Sequence, residues 1–415
     1  MTTSTSKLPI ADGLNEVLLV YPDFPRLIAI KIDAKRRGVH YTDRALATVD
    51  PARHLLRTPY IFGSRDGQLA QVPESLLLRD GSSIITDPTP LDRNPYIVDV
   101  IDGQTVLVDN DTVVEQVEFW PRPAYYDQVT SRGTPMKYIL YSRPQRLNVY
   151  QFGYCHFWAK DQGCRFCDIV PNISKQKADL GTPTTFHAQD LIESLREALK
   201  ETGRYTTMCL TGGSDFHGAE PFDREVDRYI EVLQAIGTVF RTRRFPSQLV
   251  ATALTESQLR RLYEQTGLLS YSANLEVMGE QAFNEVCPGK AAWVGYDEWK
   301  CRLIRAVDIF GRGRVDTGLV AGAELVTAYG SEDEALKITL DEAESLAAHG
   351  VTTVFIVWVP RPLSRYAAAR TPSLEYYIRL AQGLHDLRVK YGLGVEFDDY
   401  RRCGNHPDSD LARLL

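Results

Sequence analysis

The chain has 415 residues, of which 44% are hydrophobic and 24% charged, with a net charge of −7. That length allows a large core and two or three domains. The acidic balance argues against a broad nucleic-acid surface. No run approaches the roughly 20 apolar residues of a membrane span, and the first residues show no apolar signal segment, so a cytoplasmic protein is expected.

Residues 1–135 carry short extended runs, Glu16–Tyr21, Ser83–Thr86 and Thr105–Val108. Asp-Gly pairs at 80–81 and 102–103 are hairpin signals. Trp120–Pro123 reads as a linker. From about residue 140 the pattern changes to alternating strands and helices. A strand over Leu147–Tyr154 is followed by a helix over Ala188–Glu201. Thr206–Leu210 is a second strand, stopped at Thr211-Gly212-Gly213, and a helix spans Arg224–Ile236. Strand Gln248–Ala253 precedes a helix beginning at Ser257, which Thr255 can cap. Strand Leu268–Val277 runs into a long loop and then helix Tyr296–Phe310. Strand Val315–Ala321, helix Glu332–Ala348, strand Thr352–Val359 and a helix over about Ser373–Tyr391 complete the series.

Six strand–helix units in succession predict an α/β protein with a parallel sheet and right-handed crossovers. They are too few for a closed eight-stranded barrel. An open doubly wound sheet and an incomplete barrel both fit, and in either the chemistry belongs at the C-terminal strand ends. The expected division is a β-containing region over 1–135, the strand–helix unit over 136–392, and a tail over 393–415. That tail carries Cys403 and His406. A basic run, Arg241, Arg243 and Arg244, reads as a solvated loop or an anion site.

Seven cysteines are present. Disulfides are not expected in a cytoplasmic chain. Cys155, Cys164 and Cys167 cluster as C-x8-C-x2-C directly after the first strand of the series. Three thiolates in one loop form a soft ligand set suited to an iron–sulfur cluster or zinc. A structural zinc site normally has four protein ligands; here the fourth would be His156, Asp168 or a distant residue. Cys209, Cys287, Cys301 and Cys403 form no C-x-x-C pair. Cys209 and Cys301 read as core residues, and Cys287 as one that could approach the cavity.

Cys164-Arg165-Phe166-Cys167 resembles the C-x-aromatic-C end of the radical S-adenosylmethionine (SAM) cluster loop. Thr211-Gly212-Gly213-Ser214-Asp215 looks like that superfamily's GGE motif, and Asn274-Leu275-Glu276 resembles a segment of biotin synthase and lipoyl synthase. Gly318–Glu324 is similar to the fifth-strand motif, one residue short, and Pro360-Arg361-Pro362 ends the sixth strand. The resemblance covers about residues 145–365. It implies a partial (β/α)6 TIM-like barrel with an additional β-containing N-terminal region. It also implies a [4Fe–4S] cluster on Cys155, Cys164 and Cys167, with SAM bound at the iron that no cysteine holds.

By the same resemblance Phe166 lies near adenine, and the Gly212, Gly213 and Ser214 backbone takes the SAM amino group. Asn274 and Glu276 face SAM, with Glu276 on the ribose hydroxyls. Val320 and Pro360 cover adenine, and Lys300 approaches the SAM carboxylate. Asp215, His217 and Cys403 are candidates for substrate contact. The implied activity is reductive cleavage of SAM to a 5′-deoxyadenosyl radical that acts on a small molecule. The electron would come from a reductant such as flavodoxin or ferredoxin. Two departures stand out. The usual cluster loop is shorter, C-x3-C-x2-C, and Ser214 replaces the glutamate of GGE. They keep open transfer of a 3-amino-3-carboxypropyl group from SAM. A zinc-stabilised, non-radical α/β protein is the remaining alternative.

Overall fold

The computed structural model describes residues 13–57, 71–85, 87–152, 154–180, 186–393 and 406–414. It is a mixed α/β protein with two larger sheets. Near the N-terminus, helices α1 (Leu14–Val20) and α2 (Arg26–Arg37) precede strand β1 (Val39–Tyr41). The run read as extended at Glu16–Tyr21 is therefore mostly helix. Leu14 and Val17, three apart, share its buried face, while Leu19 and Val20 are exposed.

Strands β2 (Leu76–Leu78), β3 (Ser83–Ile84), β4 (Tyr96–Ile101), β5 (Gln104–Asp109) and β6 (Thr112–Phe119) join β1 in one sheet, ordered β1-β4-β5-β6-β2-β3. Both Asp-Gly pairs make antiparallel hairpins, β2–β3 and β4–β5. In the second, Asp102 and Gly103 both have positive φ, 50° and 77°, as a type I′ turn requires. Thr86 lies outside the described residues. The stretch Trp120–Pro123 is packed: Trp120 is buried, and its carbonyl accepts from Leu55 N at 2.7 Å.

The second sheet is a curled half-barrel. It begins with β7 (Tyr141–Ser142), antiparallel to β8 (Arg146–Phe152). Helices α3 (Ile169–Leu180) and α4 (Ala188–Ala198) lead to β9 (Thr207–Gly212), and α5 (Asp223–Gly237) leads to β10 (Ser247–Val250). Helix α6 (Glu256–Gln265) starts from a capping box between Thr255 and Gln258 and leads to β11 (Ser270–Ser272). The segment read as a long loop instead forms two short helices, α7 (Glu280–Val286) and α8 (Pro288–Trp293), before α9 (Tyr296–Phe310). Then come β12 (Val315–Ala321), α10 (Glu332–Ala348), β13 (Val351–Val357), α11 (Leu374–Tyr391) and α12 (Pro407–Leu414). Strands β8 to β13 pair in parallel and in chain order. Their C-terminal ends therefore share one edge.

Strand β11 is shorter than expected because the chain leaves the ladder after Ser272. It rejoins β12 only at Glu276, which adopts a left-handed φ of 71°. The opposite end of the half-barrel is closed by buried polar pairs. Lys31 of α2 meets Asp410 of α12 at 2.6 Å, with both side chains buried. Arg388 of α11 pairs with Asp408. His406 Nδ1 lies 3.1 Å from the Phe355 carbonyl. The basic run sits at this lower end, before β10. There Arg244 donates to the carbonyls of Thr266 and Leu268 and lies over the Tyr263 ring. It ties backbone together instead of standing open to an anion. Among the described residues, no helix is long and apolar enough to cross a membrane.

Two stability predictions follow from the interior. Trp299 is fully buried, donates to the Ala273 carbonyl at 3.1 Å and packs on Phe283. Trp299→Ala should cost about 3–5 kcal/mol by urea unfolding. Asp316 is buried beside Ser272, Arg388, Arg146 and Gln248. Burial pushes its carboxyl from 3.8 up to about 7 despite those partners. Between those values the folded chain keeps a proton that the unfolded chain has lost, so this group lowers stability as pH rises. Asp316→Asn should flatten that slope, gaining on the native chain at about pH 8 relative to about pH 5 in urea titrations.

Candidate active site

The cysteine loop leaves β8 at the C-terminal edge of the sheet, and a 3₁₀ turn over His156–Lys160 fills most of its x8 span. Phe157 is buried and packs beside Phe216. Phe216 in turn stacks on Trp293 at 4.2 Å, and the Lys160 ammonium sits over both rings. Two glycines permit this packing. A Cβ on Gly163 would fall 2.9 Å from the Trp158 ring, and one on Gly289 would fall 2.6 Å from Phe157. Backbone bonds from Arg165 N to Val286 O and from Gly289 N to Gln162 O stitch the loop to α7 and α8. The extra residues thus make a braced insert.

Cys155, Cys164 and Cys167 are all half-buried. Ile169 N donates to Cys167 Sγ at 3.5 Å. Burial, reinforced by Cys164, pushes the Cys155 thiol up to about 11, and the same two causes push Cys167 up. Such thiols ionise readily only beside a cation, as metal-binding thiols do. Cys164 differs: a hydrogen bond with Cys287 lowers its pKa, while burial raises that of Cys287. Cys287 does approach the cluster loop. Cys209 is buried as expected, whereas Cys301 is exposed on α9 and is not a core residue. Cys403 lies outside the described residues.

In a tetrahedral zinc site thiolates bound at about 2.3 Å lie roughly 3.8 Å from one another. Among the described residues, the cysteine sulfurs form no group of three within 4.8 Å of one another. Three thiols from one loop are a soft donor set that fits an iron–sulfur cluster.

The glycine turn closes on this loop from β9. Gly213 is in contact with Cys155: a Cβ there would fall 2.5 Å from the Cys155 Cα and Cβ. The Ser214 carbonyl accepts from His156 N at 2.9 Å. Asp215, next in the chain, is buried and engaged by Arg224 Nε at 2.6 Å and His217 Nδ1 at 2.8 Å. Burial alone would raise its carboxyl; Arg224 and then His217 outweigh that and hold it at about 2. His156, Asp215 and His217 place ligand atoms within 4.8 Å of one another. The Arg224 guanidinium already bridges both Asp215 oxygens, so this trio is a salt-bridged network and not an open divalent site.

Across the edge, Asn274 Oδ1 accepts from Gly318 N at 3.0 Å and from Ser272 Oγ at 3.1 Å. A Cβ on Gly318 would strike that amide at 2.9 Å. Lys290 of α8, which the sequence did not single out, is buried and donates to Glu276 Oε1 at 2.8 Å and the Asn274 carbonyl at 2.6 Å. Burial disfavours its charge, but Glu276, then Cys164 and Cys287, hold its pKa above the ordinary lysine range. Lys300 is placed elsewhere, paired with Glu342 between α9 and α10. Val320 is buried in β12, and Phe166 and Pro360 are half-buried at the same strand-end edge.

No family model matches the chain. Bacteriochlorophyllide c C-7(1)-hydroxylase of Chlorobaculum limnaeum is 26% identical over 129 residues, 31% of this chain. The match spans 30% of that protein's length. Among solved structures, methylornithine synthase is 15% identical over 62% of this chain and 72% of its own, with a TM-score of 0.39. The [FeFe]-hydrogenase maturase HydG is 15% identical over 63% of this chain and 52% of its own, at 0.38. A radical SAM methyltransferase from Sphaerobacter thermophilus is 16% identical over 95% and 98%, at 0.42. The three-thiol loop, the glycine turn packed on its first cysteine and the parallel strands in chain order are in keeping with a resemblance to the radical SAM superfamily.

Proposed function

We propose that Cys155, Cys164 and Cys167 hold a [4Fe–4S] cluster that, when bound and reduced, supplies an electron to cleave SAM and deliver a 5′-deoxyadenosyl radical to a small-molecule substrate. The observation that carries this reading is the contact of Gly213 with Cys155. It puts the backbone of a glycine turn beside a thiol in a loop that offers three sulfurs. The strand order supports a partial (β/α)6 barrel over 136–392, the β-containing region preceding it.

The residues divide the work of holding SAM. Gly212, Gly213 and Ser214 present backbone to the amino group. Glu276 takes the ribose hydroxyls, its carboxylate aimed by Lys290, and Asn274 fixes the strand ends around it. Phe166, Val320 and Pro360 line the adenine side. Lys290, not Lys300, is the cation of this pocket, because Lys300 is spent on Glu342. The electron comes from a reductant such as flavodoxin or ferredoxin. The curated relative is named for hydroxylation at carbon, which is in keeping with attack on an unactivated carbon here.

Anaerobic reconstitution should give about four irons and four sulfides per chain. Reduction with SAM should release 5′-deoxyadenosine. Methylthioadenosine as the product would replace this reading by aminocarboxypropyl transfer, and one zinc without sulfide would end it. Alanine at Cys155, Cys164 or Cys167 should abolish both iron retention and SAM cleavage. Glu276→Gln should leave iron content intact and raise the KM for SAM by about 10–100-fold, measured by product release.

A further inference from the structure

A buried carboxylate that none of these steps uses lies beneath the glycine turn. Glu225, on the first turn of α5, is 1% exposed. Its Oε2 accepts from Asp215 N at 2.9 Å, and its Oε1 accepts from Thr252 N at 3.1 Å. The Thr252 hydroxyl lies 3.0 Å from the same Oε2 and 2.8 Å from the Ser214 hydroxyl. One side chain therefore ties the end of β9 to the segment that follows β10. The chain of contacts continues from Ser214, whose carbonyl accepts from His156 N at 2.9 Å.

We propose that Glu225 is the positioning residue of the SAM-binding turn: it supplies from helix α5 the carboxylate that Ser214 lacks, and locks Ser214 and Asp215 against Thr252. The proposal rests on the reading of Gly212–Ser214 as the amino-group site. Its chemistry is specific to a carboxylate. Two backbone N–H groups converge on opposite oxygens, so both oxygens must accept. A glutamine offers one acceptor; in either orientation its NH₂ faces a backbone donor. A buried donor left without an acceptor is costly, and here the turn that must stay rigid bears that cost.

The test uses Glu225→Gln in the anaerobically reconstituted full chain, with Thr252→Val as a second, milder variant that removes only the hydroxyl bridge to Ser214. Two quantities are read. One is amide hydrogen exchange across residues 211–216. The other is SAM affinity by calorimetry, together with the change SAM makes in the electron paramagnetic resonance spectrum of the reduced cluster. Expected for Glu225→Gln are wild-type iron content, faster exchange at Ser214 and Asp215, and SAM affinity lower by roughly ten-fold or more. Thr252→Val should shift both in the same direction by less. Unchanged exchange overturns the proposal. So does faster exchange with SAM affinity and spectrum as in the native chain, since Glu225 would then be structural only. If the native chain binds no SAM while Glu225→Gln still loosens the turn, the SAM-site reading falls and the clamp stands. Should Glu225→Gln fail to fold, Thr252→Val decides by the same two readouts.

Discussion

The approach of Gly213 to Cys155 constrains everything built at the strand-end edge. With a Cβ 2.5 Å from the backbone of the cysteine, no other residue fits there without prising β9 from the loop that follows β8. The contact sets how close the turn and the first thiol lie. The glycine is thus required by distance, not by turn conformation: among the described residues its φ is not in the left-handed region.

The braces around this contact come from three directions. The 3₁₀ insert lies on Phe216 and Trp293, α7 and α8 hold the loop by backbone bonds, and α5 reaches under the turn through Glu225. Irregular backbone at a site is ordinarily where mobility collects. Here the irregular segments are tied by buried rings and paired amides, so the thiols gain fixed positions without belonging to a helix or strand. The residues between Cys155 and Cys164 spend their side chains on packing, which fixes the loop.

Much of the framework was legible because its signals were local. Thr255 and Gln258 announce a capping box, and Tyr296–Phe310 and Glu332–Ala348 keep helical periodicity between clear ends. The failures have equally physical causes. Leu14–Val20 is apolar nearly throughout, so its period is hidden; only burial shows that Leu19 and Val20 face solvent. Helices α7 and α8 are six or seven residues long and meet at Cys287-Pro288, where short length and a proline read as loop. Cys301 looked apolar by its neighbours, yet an amphipathic helix puts adjacent residues on different faces.

The misplacement of Lys300 shows what sequence distance hides. Lys290 and Lys300 lie ten positions apart, on separate helices. Sequence spacing to Asn274 and Glu276 cannot choose between them, because the loop was not seen to fold into α8. Desolvation decides it. A buried ammonium needs a carboxylate and an acceptor to remain charged. Lys290 has both in Glu276 and the Asn274 carbonyl, with the Trp299 ring 4.8 Å away on another side. Glu276, in turn, is held in a left-handed conformation that an ordinary side chain adopts only under outside constraint. Backbone bonds to β12, from Glu276 N to the Gly318 carbonyl at 3.0 Å and from Val320 N to the Glu276 carbonyl at 2.7 Å, supply that constraint, and Lys290 fixes the side chain. The pair is therefore one unit: the strained backbone aims the carboxylate, and the buried cation holds it in place. Glu225 repeats the principle with backbone donors instead of a cation, and in both places the partner lies far enough along the chain that only the folded structure reveals it.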